Sequence, residues 1–184
     1  MPQQGKHLEI ERRWLLSGPP NFTTLKILHD DWADITTVYI LADPELEVRI
    51  RRRQDLSGRI KFTVVMKIGR GLIRQETPKL LANEELFNYY FGPFKSSHIP
   101  HILEEYWKIQ LQIGKELEIK RLKGPGDLKG LVLAEIEFKS EDVAKQFSEK
   151  DFPLWLKSLI VKEVTDDPRY NGKNLAVRGR PNPA

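Results

Sequence analysis

The chain has 184 residues, which at roughly 150 residues per domain is about one domain. Lys plus Arg number 30 and Asp plus Glu 26, so a net charge of +4 rests on mixed signs. That balance argues against a dedicated DNA-binding domain, and no nucleic-acid partner is expected. The chain has no cysteine, which removes disulfides, thiolate metal sites and a Cys nucleophile together. No apolar run is long enough to span a bilayer, and the Met1–Arg13 segment lacks a hydrophobic h-region. Neither a membrane nor a secretory role is expected; the expected location is the cytoplasm.

In chain order, Lys6 to Leu16 reads as a strand that Pro19 and Pro20 end, and Thr23/Thr24 open a short helix to about Trp32. Ile35 to Leu41 is β-branched and aromatic, as strands prefer. After the Asp43-Pro44 turn, Leu46 to Arg53 alternates apolar residues with Arg. Ser57-Gly58 turns the chain into a strand over Arg59 to Ile68, and Gly69 and Gly71 lead to another over Leu72 to about Lys79. This succession predicts an antiparallel meander. Asn83 caps a helix over Glu84 to about Phe91, which Gly92-Pro93 stops. Ile102 to Ile113, Glu116 to Leu122 and Leu131 to Lys139 read as three more strands. Ser140 opens a helix to about Glu149, Pro153 to Tyr170 reads as short irregular or helical chain, and Val177 to Ala184 as a loose tail. The expectation is one domain over residues 1–177 with a flexible tail over 178–184.

Strand side chains alternate between two faces. Glu9, Glu11 and Arg13 therefore share a face, as do Arg49, Arg51 and Arg53. So do Lys61, Thr63 and Lys67; Arg74 and Glu76; Glu104, Tyr106 and Lys108; and Glu135 and Glu137. Such faces fit either a solvated outer surface over one core or a sheet closed around a charged interior, which also removes sheet edges. The repetition over at least five strands, with basic and acidic strands segregated, favours the second. Strand-borne Arg and Lys suit a multiply charged phosphate chain. Paired carboxylates suit a hard cation such as Mg²⁺ or Mn²⁺.

Glu9-Ile10-Glu11-Arg12-Arg13 resembles the ExExK signature of the CYTH, or triphosphate tunnel metalloenzyme, family. Val48-Arg49-Ile50-Arg51 resembles its Arg-x-Arg strand. Lys67, Arg74-Gln75-Glu76 and Ala134-Glu135-Ile136-Glu137-Phe138 resemble three further strands in the same order. Glu163 to Tyr170 followed by Asn174-Leu175-Ala176 resembles its C-terminal signature. The likeness covers about residues 7 to 177. It implies an α+β fold, a closed eight-stranded antiparallel β-barrel forming a tunnel, with a few flanking helices. Members hydrolyse inorganic, thiamine or nucleoside triphosphates with Mg²⁺ or Mn²⁺, and one branch makes cyclic AMP. The resemblance thus implies a metal-dependent triphosphatase, with a small triphosphate or polyphosphate ligand and a monomeric or homodimeric state. Carried over by position, Glu9, Glu11, Glu135, Glu137 and Glu76 would hold metal. Arg49, Arg51, Lys67 and Arg74 would bind substrate, and Arg13 and Glu11 would act in catalysis.

The chain departs from the family pattern at several of these positions. The signature Lys is Arg13, which stays protonated and cannot serve as a base. Glu104 and Tyr106 stand where the family has Lys and Arg, and Lys120 stands where it has Asp; a Glu104/Lys120 pair would reverse the family's signs. Pro78 and Val65 replace an expected acid and Thr. These changes keep two alternatives open: a non-catalytic or altered-specificity polyphosphate- or nucleotide-binding protein, and an adenylyl cyclase.

Overall fold

The computed structural model describes residues 7–23, 32–43, 45–69, 73–77, 79–92, 98–111 and 114–182. The strands are β1 (His7–Leu16), β2 (Trp32–Ala42), β3 (Leu46–Asp55), β4 (Ile60–Ile68), β5 (Ile73–Glu76), β6 (Leu80–Ala82), β7 (His101–Gln110), β8 (Glu116–Gly124), β9 (Val132–Glu137) and β10 (Ile160–Glu163). The helices are α1 (Glu84–Phe91), α2 (Glu141–Gln146), α3 (Leu154–Lys157) and α4 (Gly172–Arg178). Hydrogen bonding runs β1-β5-β4-β3-β2-β7-β8-β9 and returns from β9 to β1. This circuit is a closed barrel of eight strands, antiparallel throughout. β6 is appended to β4 and β10 to β1.

Closure follows from how β1 is shared. His7–Ile10 pair with β5, while Glu11–Leu16 pair with β9. The same strand therefore joins the start of the meander to its end, and a chemically alternating strand becomes part of the wall.

The larger apolar faces point outward and are covered by helices, so most of the hydrophobic core surrounds the barrel. Trp14 is fully buried outside β1 and meets Phe152 edge-on at 4.9 Å between ring centroids. Ile119, Ile136, Phe147 and Leu156 pack with it beneath α2 and α3. On the other side, Phe87 of α1 packs on Val38 and Ile50. Arg12 ties the outer layer down: it meets Glu163 of β10 bidentately, at 2.8 and 2.5 Å, and donates to the Ala144 and Phe147 carbonyls. A third apolar cluster seals one end of the barrel, where Leu175 of α4 and Tyr170 meet Tyr39, Ile102, Leu122 and Leu133.

Several expected elements shift. The helix expected from Thr23/Thr24 falls mostly on residues 24–31, outside the described residues, and Trp32 already belongs to β2. The strand expected to run to Lys79 ends at Glu76, and a separate β6 follows. The helix opened by Ser140 stops at Gln146, where buried Phe147 turns extended, and a separate 3-10 turn capped by Ser148 follows. The irregular segment after Pro153 holds α3 and β10, and α4 continues through Arg178. Gly179 follows with φ +79°, and the Arg180 amide donates to Asp127. Among the described residues, no helix is long and apolar enough to cross a membrane.

Candidate functional site

The barrel encloses a cavity of about 500 Å³ lined by the inward faces of its strands. All the sequence-predicted site residues line it: Glu9, Glu11 and Arg13 from β1, Arg49 and Arg51 from β3, Lys67 from β4, Arg74 and Glu76 from β5, and Glu135 and Glu137 from β9. Among the described residues, eight carboxylates and seven Lys or Arg side chains form the lining. The signs are segregated. Arg49, Arg51, Lys67 and Arg74 come from the consecutive strands β3, β4 and β5, while Glu104, Glu118, Glu135 and Glu137 come from β7, β8 and β9.

Register sets the pairs. Arg74 lies across from Glu9, and Lys67 across from both Glu76 and Glu47. Lys67 Nζ reaches the two Glu9 oxygens at 2.5 and 2.6 Å and Glu76 at 3.1 Å. Arg74 Nη2 lies 3.1 Å from both Glu9 and Glu11. Arg13 lies across from Glu135 and bonds it through Nε at 2.6 Å. Its remaining nitrogens reach Glu11, the Asn171 side chain at 2.8 Å and the Tyr170 carbonyl at 3.2 Å. Lys120 holds the second Glu135 oxygen and lies 3.5 Å from Glu118, which accepts from the Tyr106 hydroxyl at 2.9 Å. On β3, Arg49 lies 3.3 Å from Glu47, and Arg51 donates to Thr37. The buried Arg49 Nε has no hydrogen-bond acceptor, and among the described residues no carboxylate is within ion-pair distance of Arg51.

Burial would raise the Glu9 carboxyl, but Lys67, Arg74 and Arg49 outweigh it and hold it down to about 2. Burial likewise opposes ionisation of Glu135, and Arg13 with Lys120 holds it well below the usual carboxylate range. Burial, then Arg49 and Arg74, press Lys67 below the usual lysine range, against Glu9 and Glu11. Its two short contacts to Glu9 are those of an ammonium on a carboxylate, so the pair is charged. Burial also works against the charge on Arg13, but Glu135 and Glu11 more than offset it, so this guanidinium is fixed in its protonated form.

No family model and no curated protein matches the sequence. Solved structures do. The inorganic triphosphatase NE1496 superposes with a TM-score of 0.59 at 25% identity, over 92% of this chain and 94% of that one. The chain has the closed-barrel fold of the CYTH, or triphosphate tunnel, proteins. Two more distant structures share the fold. The PH1819 protein from Pyrococcus horikoshii OT3 has a TM-score of 0.60 at 12% identity, over 94% of this chain and 99% of that one. A putative adenylate cyclase from Bacillus halodurans has 0.55 at 18%, over 86% and 95%.

Within this tunnel the expected Glu104/Lys120 pair does not form. Lys120 lies across from Tyr106, not Glu104, and its ion pairs are with Glu135 and Glu118. Arg53 leaves the cavity and lies over the Tyr106 ring at 4.9 Å. Sequence reasoning passed over Glu47, although its i, i+2 phase with Arg49 marks it as inward, and over Glu118, which is in phase with Lys120. Among the described residues, no three Asp, Glu or His side chains converge as a metal-holding group. Glu9, Glu11, Glu76 and Glu135 are each held by a cation. The donor chemistry itself suits a hard divalent ion. Glu11 and Glu137 are directly opposed on β1 and β9.

Proposed function

We propose that the chain hydrolyses the phosphoanhydride bond of a small triphosphate within this tunnel, with Mg²⁺ or Mn²⁺. The observation that carries the reading is the basic wall of three consecutive strands, with Arg51 free of carboxylates among the described residues and Arg49 Nε lacking an acceptor. A buried guanidinium N–H without an acceptor is costly, and a phosphate oxygen satisfies it. The likeness to a structure described as an inorganic triphosphatase, at 25% identity over 92% of the chain, supports the same reading.

Arg49, Arg51, Lys67 and Arg74 bind and align the phosphate chain, because a row of cations at strand spacing fixes successive phosphoryl groups. Glu9, Glu11 and Glu137, with Glu76, supply the oxygen ligands for a divalent ion. Such an ion supplies Lewis-acid polarisation of a phosphoryl oxygen and offsets its charge. Glu135 acts chiefly as the counter-ion that fixes Arg13 between itself, Glu11 and the Tyr170–Asn171 segment. Arg13 then presents a permanent positive charge to the charge developing in the transition state and takes no proton.

The test is a screen of phosphate release from tripolyphosphate, ATP and thiamine triphosphate with Mg²⁺ or Mn²⁺, alongside detection of cyclic AMP. Phosphate release that is lost with Glu11→Gln supports the proposal. Cyclic AMP as the product assigns cyclisation instead, and absence of turnover with every substrate rejects catalysis on triphosphates.

A further inference from the structure

Two of the four cations that a phosphate chain needs, Lys67 and Arg74, are already bound, and what binds them is carboxylates that a divalent ion needs. Glu9 places both oxygens on Lys67, at 2.5 and 2.6 Å, and one on Arg74 at 3.1 Å. Glu76 takes Lys67 at 3.1 Å, and Glu11 takes Arg74 at 3.1 Å. These side chains are between 5% and 15% exposed, so the pairs are largely shielded from water. A planar carboxylate spanning an ammonium and a guanidinium offers them two anionic oxygens, as a phosphate group does.

We infer that Glu9, seconded by Glu76, is a built-in occupant of the phosphate site. It excludes a free polyphosphate and yields only to one that arrives as its divalent-cation complex. The inference rests on the reading of the tunnel as a polyphosphate site. Its physical basis is the cost of an unpaired buried charge. A free polyanion that takes Lys67 and Arg74 leaves Glu9 and Glu76 buried without counter-ions and adds its own negative charge beside them. In a lining of eight carboxylates and seven cations no surplus positive charge is present to absorb this. A divalent ion entering with the polyanion takes over the released carboxylates and removes both penalties. The two ligands are then coupled through this chain's own ion pairs, each lowering the cost of the other.

The experiment is calorimetric titration of tripolyphosphate into the full chain, in EDTA and in excess Mg²⁺, with Glu9→Gln and Glu76→Gln alongside and thermal melts to confirm folding. The wild type should bind at least about a hundredfold more weakly in EDTA, the scale expected when buried pairs are broken without replacement. Glu9→Gln should bind free tripolyphosphate about tenfold more tightly than the wild type, and its gain from Mg²⁺ should shrink. Glu76→Gln should move the same way by less, and it carries the test if Glu9→Gln does not fold. If the carboxylates only await a metal, neither variant gains metal-free affinity, and that result overturns the inference. Equal wild-type affinity in EDTA and Mg²⁺ also overturns it while leaving the polyphosphate reading intact. Absence of binding by every form in both conditions overturns the two together.

Discussion

Replacing Arg13 tests whether the rewritten wall of the tunnel is a built network. Its side chain is 7% exposed and meets four acceptors: Glu135, Glu11, Asn171 and the Tyr170 carbonyl. Arg13→Met removes all four bonds and leaves Glu135 to Lys120 and Glu11 to Arg74. Breaking a buried pair from one side costs about 3–5 kcal/mol, and the remaining cations put this case at the low end, about 3 kcal/mol. Against a domain stability of about 5–15 kcal/mol that is a large fraction. Arg13→Lys keeps the charge but cannot span four acceptors from one ammonium, and should cost about 1–2 kcal/mol. Urea unfolding at neutral pH, with unchanged slope, measures both. The double variant Arg13→Met/Glu135→Gln supplies the internal check. With the orphaned charge removed it should lose less than the sum of the single variants. An Arg13→Met chain within about 0.5 kcal/mol of the wild type, or strict additivity in the cycle, would refute the network.

Two further expectations follow from the same geometry. A methyl added at Gly172 collides with the Tyr39 hydroxyl, so Gly172→Ala should destabilise the fold by about 1–3 kcal/mol. Tyr39→Phe in that background removes the colliding oxygen and leaves the ring carbon at an ordinary 3.5 Å, so it should restore part of the loss in a urea melt. The Glu9 and Glu135 carboxyls are held below their ordinary value of 4.5, Glu9 down to about 2. Their stabilisation is therefore complete above about pH 4.5 and is lost as pH falls toward 2, as the native state is forced to take up protons. The urea midpoint should fall across that window, and Glu9→Gln should flatten the profile; an unchanged profile would count against the buried pairs.

The barrel walls were legible because they depend on local alternation. The i, i+2 phase of Glu9, Glu11 and Arg13 and of Arg49 and Arg51 names their inward faces before any partner is known. The caps were legible too: Asn83 accepts from the Leu86 amide and Ser140 from the Val143 amide. What was not legible depends on distant pairing. Ile160–Glu163 is too short to show a period and is a strand because it lies along Trp14–Leu16. α4 begins at a glycine with no side-chain cap, so no start signal announces it, and it is held by seating against Tyr39 and Ile102. The Lys120 partner was hidden for the same reason. Pairing by sequence analogy pointed to Glu104, whereas register places Lys120 across from Tyr106 and Leu133 and within reach of Glu135.

The placement of most of the core outside the barrel leaves its inner wall open to charge. In a sheet with a single buried apolar face, inward charge substitutions strike the hydrophobic core and cost the fold directly. Here Trp14, Ile136 and Leu156 beneath α2 and α3, and Val38, Ile50 and Phe87 beneath α1, lie on the opposite side of the strands from the charged lining. Inward positions are free to exchange sign so long as each buried charge keeps a partner. Arg13 and Lys120 share Glu135, and Tyr106 donates to Glu118. The β3–β5 wall turns Arg49, Arg51, Lys67 and Arg74 toward the cavity.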